Sequence, residues 1–365
     1  MSIWEYANEQ LRDLVAYEPG KPIEDVAREL GLDPAAIVKL ASNENPLGPS
    51  PKAVEAMKEA VSGVHVYPDG GGWKLRTAIA EKFGLGMENV ILGNGSNEII
   101  EFIGHAFLRP GDNVVVSDHA FVVYKLMATL FGASCREVPE RPGFCHDLDA
   151  MAAAIDENTK EVFIANPNNP TGTLLGQEEI DRFMERVPEH VTVVFDEAYH
   201  EFLEEPPDTL KYVRDGRNVI ILRTFSKIQG LAGTRIGYGL APAELAGVLQ
   251  KTRQPFNANA VAQAGALAGL LDDEHQQRTR VMNGEGREYL EGEFGALGLE
   301  CIRSYANFVL VKVGDGDRLF KDLMSEGVII RAMSGYKLPE WVRVSVGTME
   351  QNRKFIEVLK RHLRP

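Results

Sequence analysis

The stretch Val191-Thr192-Val193-Val194-Phe195-Asp196-Glu197-Ala198-Tyr199 runs from β-branched and aromatic residues straight into an acidic and phenolic cluster. Its apolar part does not alternate with polar residues, so it predicts a strand buried on both faces. Four similar runs lie on either side of it: Val90-Ile91-Leu92, Val114-Val115-Val116, Val162-Phe163-Ile164 and Val219-Ile220-Ile221-Leu222. Between them lie helical patterns. In Gln177 to Val187, for example, Ile180, Phe183, Met184 and Val187 share one helix face. Strands alternating with amphipathic helices imply an α/β fold: a large domain whose mostly parallel central sheet is flanked by helices.

The pattern changes after about residue 250. One long helical stretch is expected from Ala260 past Leu290, then strands at Phe308 to Val313, Ile329-Ile330 and Val342 to Val346, then a helix over about 349–363. This reads as a smaller α+β domain. The expected division is an N-terminal segment, 1–45, packing with the small domain; a large domain, 46–255; and a small C-terminal domain, 256–365. Asp33-Pro34 and Ser50-Pro51 each read as an N-cap followed by proline in the first turn of a helix.

The 365 residues are 44% hydrophobic and 25% charged, a globular composition. Acidic residues outnumber basic ones by 53 to 39, for a net charge of −14. A chain so acidic is poorly suited to a nucleic-acid backbone, so any anion must be gripped locally by a few placed groups. Cys135, Cys145 and Cys301 are odd in number and lack CxxC spacing, which argues against a disulfide framework or a cysteine zinc site. No apolar run approaches the ~20 residues of a membrane span. Met1 to Gln10 is polar and acidic, unlike a signal peptide. The expectation is a cytoplasmic protein with no membrane or nucleic-acid partner.

In open α/β sheets ligands bind beyond the carboxyl ends of the strands. Four of the runs end there in polar or glycine-rich clusters. These are Gly93-Asn94-Gly95-Ser96-Asn97-Glu98, Asn166-Pro167-Asn168-Asn169-Pro170-Thr171-Gly172, Asp196-Glu197-Ala198-Tyr199 and Thr224-Phe225-Ser226-Lys227. Gly95-Ser96 opens a helix whose free N–H groups suit a phosphate. Thr224 and Ser226 add hydroxyls and Arg235 adds a charge. Lys227, at the end of a buried strand, is expected to have a depressed pKa and to be nucleophilic. Asp196 is a carboxylate placed for a cation. A phosphate cradle, a reactive lysine and a placed aspartate together match pyridoxal 5'-phosphate.

The order Asn-Pro-x-Asn-Pro-Thr-Gly, Asp-Glu-Ala-Tyr, Ser-Lys and then arginine eight residues after the lysine resembles fold-type I aminotransferases. Nearly the whole chain is similar to the histidinol-phosphate aminotransferase family. Tyr17-Glu18-Pro19-Gly20-Lys21-Pro22-Ile23, Leu40-Ala41-Ser42-Asn43-Glu44-Asn45-Pro46, Tyr67-Pro68-Asp69-Gly70, Gly230-Leu231-Ala232-Gly233 and Trp341 to Thr348 carry that likeness. The resemblance implies a homodimer with shared active sites that exchanges an amino group between histidinol phosphate and 2-oxoglutarate. It implies that Lys227 condenses with the cofactor and shuttles a proton, that Asp196 pairs with the pyridine nitrogen, and that Tyr199 and Asn169 hold the phenolic oxygen. Ser96, Asn97, Thr224, Ser226 and Arg235 would take the phosphate, with Tyr67 reaching in from the second subunit, and Phe121 would stack on the ring. Arg343 would receive a substrate anion, with Arg331, Tyr17 and Asn43 as further substrate contacts.

Three positions depart from the family pattern: Gln229 where an aromatic residue is common, Thr234 before Arg235, and His119-Ala120 before Phe121. An aromatic amino-acid aminotransferase, a phosphoamino-acid decarboxylase and a non-catalytic cofactor-binding regulator stay open as alternatives at this point. Glu98 stands where a dinucleotide fingerprint needs its third glycine, and Leu75 where a Walker loop needs Ser or Thr. His200 beside Glu201 has no second ligand at metal spacing, so a structural role is expected for it.

Overall fold

The computed structural model describes residues 2–12, 14 and 20–363. Its strands are β1 (Val38–Lys39), β2 (Val90–Gly93), β3 (Asn113–Ser117), β4 (Ser134–Val138), β5 (Thr159–Ala165), β6 (Thr192–Asp196), β7 (Val219–Thr224), β8 (Gly237–Leu240), β9 (Cys301–Ile302), β10 (Phe308–Lys312), β11 (Val328–Ile329), β12 (Arg331–Ala332) and β13 (Trp341–Ser345). Seven of them form the central sheet, in the order β2-β8-β7-β6-β5-β3-β4. Only β8 runs against its neighbours. The chain doubles back from β7 through residues 225–236 with one short 3₁₀ turn, Ala232–Thr234, too little for the crossover a parallel pairing needs.

Alternate residues of the buried strands feed two separate cores. Val115, Val162, Val193, Phe195 and Ile221 pack with Ile180, Phe183 and Met184 on one face. Val114, Val116, Phe163, Val194, Ile220 and Leu222 pack with Ile99, Phe102 and Tyr124 on the other. This explains the unbroken apolar runs: neither face meets water.

Two strands have no apolar run to signal them. Edge strand β4 alternates exposed and half-buried positions before Val138. In β8, the glycines answer to close approach. A Cβ on Gly239 would lie 2.9 Å from Ile91 Cγ2, and one on Gly237 only 2.5 Å from the Ser96 amide nitrogen.

A second sheet, β12-β13-β10-β9, is antiparallel, and β1 pairs with β11 in parallel. Leu40 continues the N-terminal contact, donating its N–H to Ile329 and accepting from the Ser345 amide. The single helix expected from Ala260 is two helices, Ala260–Leu270 and Asp273–Ala296. Ala262, Ala266 and Leu270 pack into a core of the seven-stranded sheet, whereas Leu290 and Phe294 pack into that of the second sheet. The break at Leu271-Asp272 carries the chain between them, and Asp272 is held there by Lys52 at 3.0 Å. Ser50 caps the helix Pro51–Val61, its Oγ accepting from the Ala53 amide. At Asp33-Pro34 the expected helix is only a 3₁₀ turn, Pro34–Ala36; the regular helix in this segment is Ile23–Leu30.

Candidate active site

The strands β2, β5, β6 and β7 point the same way and end on one edge of the central sheet. A cavity of about 290 Å³ opens beyond that edge. Ser96, Asn97, Phe121, Asn169, Asp196, Tyr199, Thr224, Ser226, Lys227 and Arg235 all line it, and Asn43, Arg331 and Arg343 close it from the side of the second sheet. Thirteen of the residues singled out in the sequence thus meet at one place. Tyr67 does not: it is 79% exposed and stacks on Phe256, with ring centroids 4.6 Å apart. Tyr17 lies outside the described residues.

Lys227 is half-buried and its Nζ donates to the carbonyl oxygens of Asn43 and Ser42, at 3.2 and 3.4 Å. Burial, with the charges of Arg343 and Arg235, pushes its ammonium down to about 8, against the opposing pull of Glu44 and Asp196. A lysine with that pKa is partly neutral at pH 7 and available as a nucleophile or a base. Asp196 is buried at the end of β6. Burial raises its pKa, while the Tyr124 hydroxyl, donating to Oδ2 at 2.6 Å, and the Ala198 amide favour the ionised form. Asp196 is therefore a carboxylate already fixed in position, with its remaining acceptor capacity directed at the cavity.

Tyr199 is buried, and its hydroxyl accepts from Asn43 Nδ2 at 3.0 Å. Burial pushes the phenol up to about 12, although Arg343 and Asn43 act the other way. Asn43 holds this pose from a left-handed backbone, φ 54°. Ser345 Oγ accepts from the Asn43 amide and donates to its Oδ1, while Asn307 donates to its carbonyl. Arg343, on β13, donates to Asn169 Oδ1 and to the Ala41 carbonyl, so its fork is aimed at the cavity wall. Arg331 sits directly across from it on β12.

One corner of the cavity is built for an anion. The helix Ser96–Phe107 starts here with no side chain capping its first amides. Thr224 Oγ1 donates to Ser226 Oγ and accepts from the Ser226 amide. Arg235 is in a left-handed conformation, φ 57°, and its Nη2 would lie 2.4 Å from a Cβ on Gly95. Glycine at 95 lets the Arg235 guanidinium lie against the loop, and glycine at 237 lets β8 lie against the Ser96 amide.

Tyr124 was not among the residues singled out from the sequence. Its signal was available: it falls one helical turn after Phe121, in the helix Val122–Leu130 that opens at the sheet edge. Tyr336, which also lines the cavity, had no local signal. His200 is structural: it sits between Glu197 and Arg223, a fully buried ion pair behind the strand ends. Among the described residues no cluster of metal-ligating side chains is present.

A strand-edge cavity with a depressed lysine, a fixed carboxylate and an anion corner suits the transfer of amino groups. The chain belongs to the aminotransferases of class I and II, whose family pattern matches residues 35–359. Within that class it is 58% identical to a histidinol-phosphate aminotransferase of Akkermansia muciniphila over 360 residues, 99% of each chain. It is 47% identical to one of Moorella thermoacetica, over 96% of this chain and 92% of the relative. In structure it is similar to the histidinol-phosphate aminotransferase of Sinorhizobium meliloti crystallised with pyridoxal 5'-phosphate, at TM-score 0.88, 27% identity, and coverage of 96% and 97% of the two chains. The aspartate aminotransferase of Thermus thermophilus with maleate superposes at TM-score 0.83 and 26% identity, over 97% and 99%.

The family works with pyridoxal phosphate, and the residues present fit that group. The uncapped amides of the helix Ser96–Phe107, with Arg235 and the Thr224 and Ser226 hydroxyls beside them on the cavity, suit a phosphate. Lys227 and Asp196 supply the amine and the carboxylate that the other end of the group requires.

Proposed function

We propose that this chain is an aminotransferase that moves the amino group of histidinol phosphate to 2-oxoglutarate, with pyridoxal 5'-phosphate held in the strand-edge cavity. The observation that carries the reading is the meeting of Lys227, Asp196 and Tyr199 with Arg331 and Arg343 in one cavity, in a chain so similar to enzymes of that name. When bound, pyridoxal phosphate supplies the aldehyde that takes up the amino group and the ring that accepts the electron pair released with the α-proton.

The protein does the rest. Ser96 and Asn97 amides, the Thr224 and Ser226 hydroxyls and Arg235 hold the phosphate. Asp196, steadied by Tyr124, carries the negative charge opposite the ring nitrogen. Tyr199 and Asn169 orient the phenolic oxygen, and Phe121 covers the ring face. Lys227 Nζ holds the cofactor in the resting enzyme and moves the proton from the donor's α-carbon. Arg343 receives a carboxylate or phosphate, with Arg331 and Asn43 at the same end; Tyr17, the further substrate contact that the resemblance implies, lies outside the described residues. Donor and acceptor use the site in turn, in ping-pong half-reactions.

The reading extends to assembly and place. Tyr67 and Phe256, with Val64, Val66 and Trp73, form an exposed apolar surface. A homodimer would cover it and bring Tyr67 to the partner's phosphate corner. The three free cysteines suit the cytoplasm, and no described helix is long and apolar enough to cross a membrane. We take 46–255 as the large unit and 256–365 as the small one, with 1–45 packing beside the latter; the helix Ala260–Leu270, within the second range, packs on the core of the seven-stranded sheet. A donor screen with 2-oxoglutarate tests the function. Histidinol phosphate should be the fastest donor; phenylalanine outrunning it would defeat the assignment.

A further inference from the structure

We propose that Tyr336 is a specificity-determining residue that reads the planar side chain of the amino donor. This deepens the function proposed above and rests on it. Tyr336 is half-buried and lines the main cavity together with Arg331, Arg343 and Phe121. It also lines a small adjoining pocket of about 60 Å³ whose far wall is Ala120-Phe121-Val122. Tyr336 therefore borders the cavity near Arg331 and Arg343 and close to the Phe121 loop. Its phenol is within electrostatic reach of Tyr124 and Tyr199, which both face the same space.

The segment that carries this ring is built to hold it. Residues Ser334–Tyr336 form a single 3₁₀ turn, ended by Lys337 in a left-handed conformation, φ 62°. Met333 and Leu338 are buried at its two ends and pack with Leu310 and Trp341. Their backbones also close on one another, the Leu338 amide donating to the Met333 carbonyl at 3.2 Å. Ser334 Oγ donates to Asp317. Lys337 reaches across to the central sheet, where its Nζ meets Asp118 at 2.7 Å and Glu137 at 2.6 Å. Asp118 lies on the loop that leads to Phe121. The ion pairs thus tie the Tyr336 turn to the loop that leads to Phe121 and to β4.

An aromatic ring beside the substrate arginines favours a donor with a flat ring that can lie against it. The arginines select an anion, which donor and acceptor both carry; Tyr336 adds a criterion that only a ring-bearing donor meets. 2-Oxoglutarate is acyclic and gains nothing from Tyr336. Lys337 is a positioning residue in this scheme, acting only through the turn.

The test uses the cofactor-loaded enzyme and follows each half-reaction separately by rapid mixing, with histidinol phosphate, histidinol and 2-oxoglutarate. Tyr336→Ala should lower kcat/KM roughly tenfold for both ring-bearing donors and by under about twofold for 2-oxoglutarate. Tyr336→Phe, which keeps the flat ring, should restore most of the loss. Lys337→Met should show the same donor-only pattern at smaller size, and adding it to Tyr336→Ala should cost little more. Thermal melting of each variant identifies one that fails to fold, in which case Tyr336→Leu takes its place. Equal losses in the two half-reactions would overturn the proposal, as would a loss confined to the phosphorylated donor. If the parent enzyme does not use histidinol phosphate, the function proposed above fails. The same ratio measured with phenylalanine then decides the role of Tyr336 by itself.

Discussion

The two walls of the cavity are assembled differently. On the sheet side, each polar group follows directly on a buried strand: Asp196 ends β6, Thr224 ends β7, and Ser96 comes three residues after Gly93 of β2. On the opposite wall, Asn43 comes from the N-terminal segment, Arg331 from the short edge strand β12 and Arg343 from β13 beside it, and contacts there span long stretches of chain. Arg343 bonds the Ala41 carbonyl 302 residues away and Asn169 174 residues away. The first wall, proposed for the cofactor, is set by local sequence on a rigid frame. The second, proposed for the substrate, exists only once the N-terminal segment and the second sheet have packed. Damage to the first wall should therefore abolish chemistry, and damage to the second should grade it.

The largest effect is expected at Lys227. Lys227→Ala removes the nucleophile and the proton carrier together, so transamination should fall to background while the protein still binds the cofactor. Absorbance of the loaded protein would show a free rather than lysine-bound cofactor. Turnover and absorbance like the parent's would break the comparison at its strongest point.

Asp196→Asn comes next. It keeps the shape and the Ala198 contact but loses the charge. Leaving a buried positive partner alone costs about 3–5 kcal/mol, so kcat should drop by two orders of magnitude or more and the cofactor should dissociate more readily on dialysis. Activity near that of the parent would remove Asp196 from the mechanism.

That asymmetry also decides what could be read from the sequence. The strand-end clusters were legible because a short apolar run and the polar residues after it are neighbours in the chain. Tyr124 is harder to read: it stands in the first turn of a helix whose other buried residues, Met127 and Ala128, are ordinary core, and only the fold brings its hydroxyl to Asp196. β8 was missed because its glycines serve close packing against Ile91 and the Ser96 amide rather than strand propensity. The helix break at Leu271-Asp272 follows from the need to leave one core for another, and no glycine or proline marks it. Arg331 and Arg343 could be named from the resemblance, but their pairing across β12 and β13 is a property of the folded sheet.

At the second wall, Arg343→Lys should weaken both half-reactions. Arg343 already divides its fork between Asn169 and the Ala41 carbonyl, and a single ammonium cannot reproduce that geometry. A loss of about 2–5 kcal/mol in kcat/KM is expected for histidinol phosphate and for 2-oxoglutarate, with the lysine-bound absorbance unchanged. Arg331→Ala should be milder and should hurt histidinol phosphate more than phenylalanine. If both arginine variants also lost the bound absorbance, the walls would not be separable in function.

The smallest expected effect measures how far the walls communicate. After burial, Arg343 is the largest cause holding Lys227 down at about 8, so part of the reactivity of the first wall originates in the second. A lysine with that pKa is about one-tenth neutral at pH 7, and each unit of increase cuts the neutral fraction tenfold. Arg343→Gln removes a positive neighbour, so the ammonium becomes easier to keep and the pKa must move up, toward the ordinary lysine range. The measurement is the rate at which acetic anhydride labels Lys227 in cofactor-free protein, followed by mass spectrometry across pH 6–10. The parent should show a midpoint near 8, and Arg343→Gln a higher one, with slower labelling at pH 7. Arg235→Gln should shift it in the same direction by less, because Arg235 is the weaker of the two positive neighbours. An unmoved midpoint in Arg343→Gln would mean that burial and the other neighbours set the lysine and that Arg343 contributes nothing to it before substrate arrives.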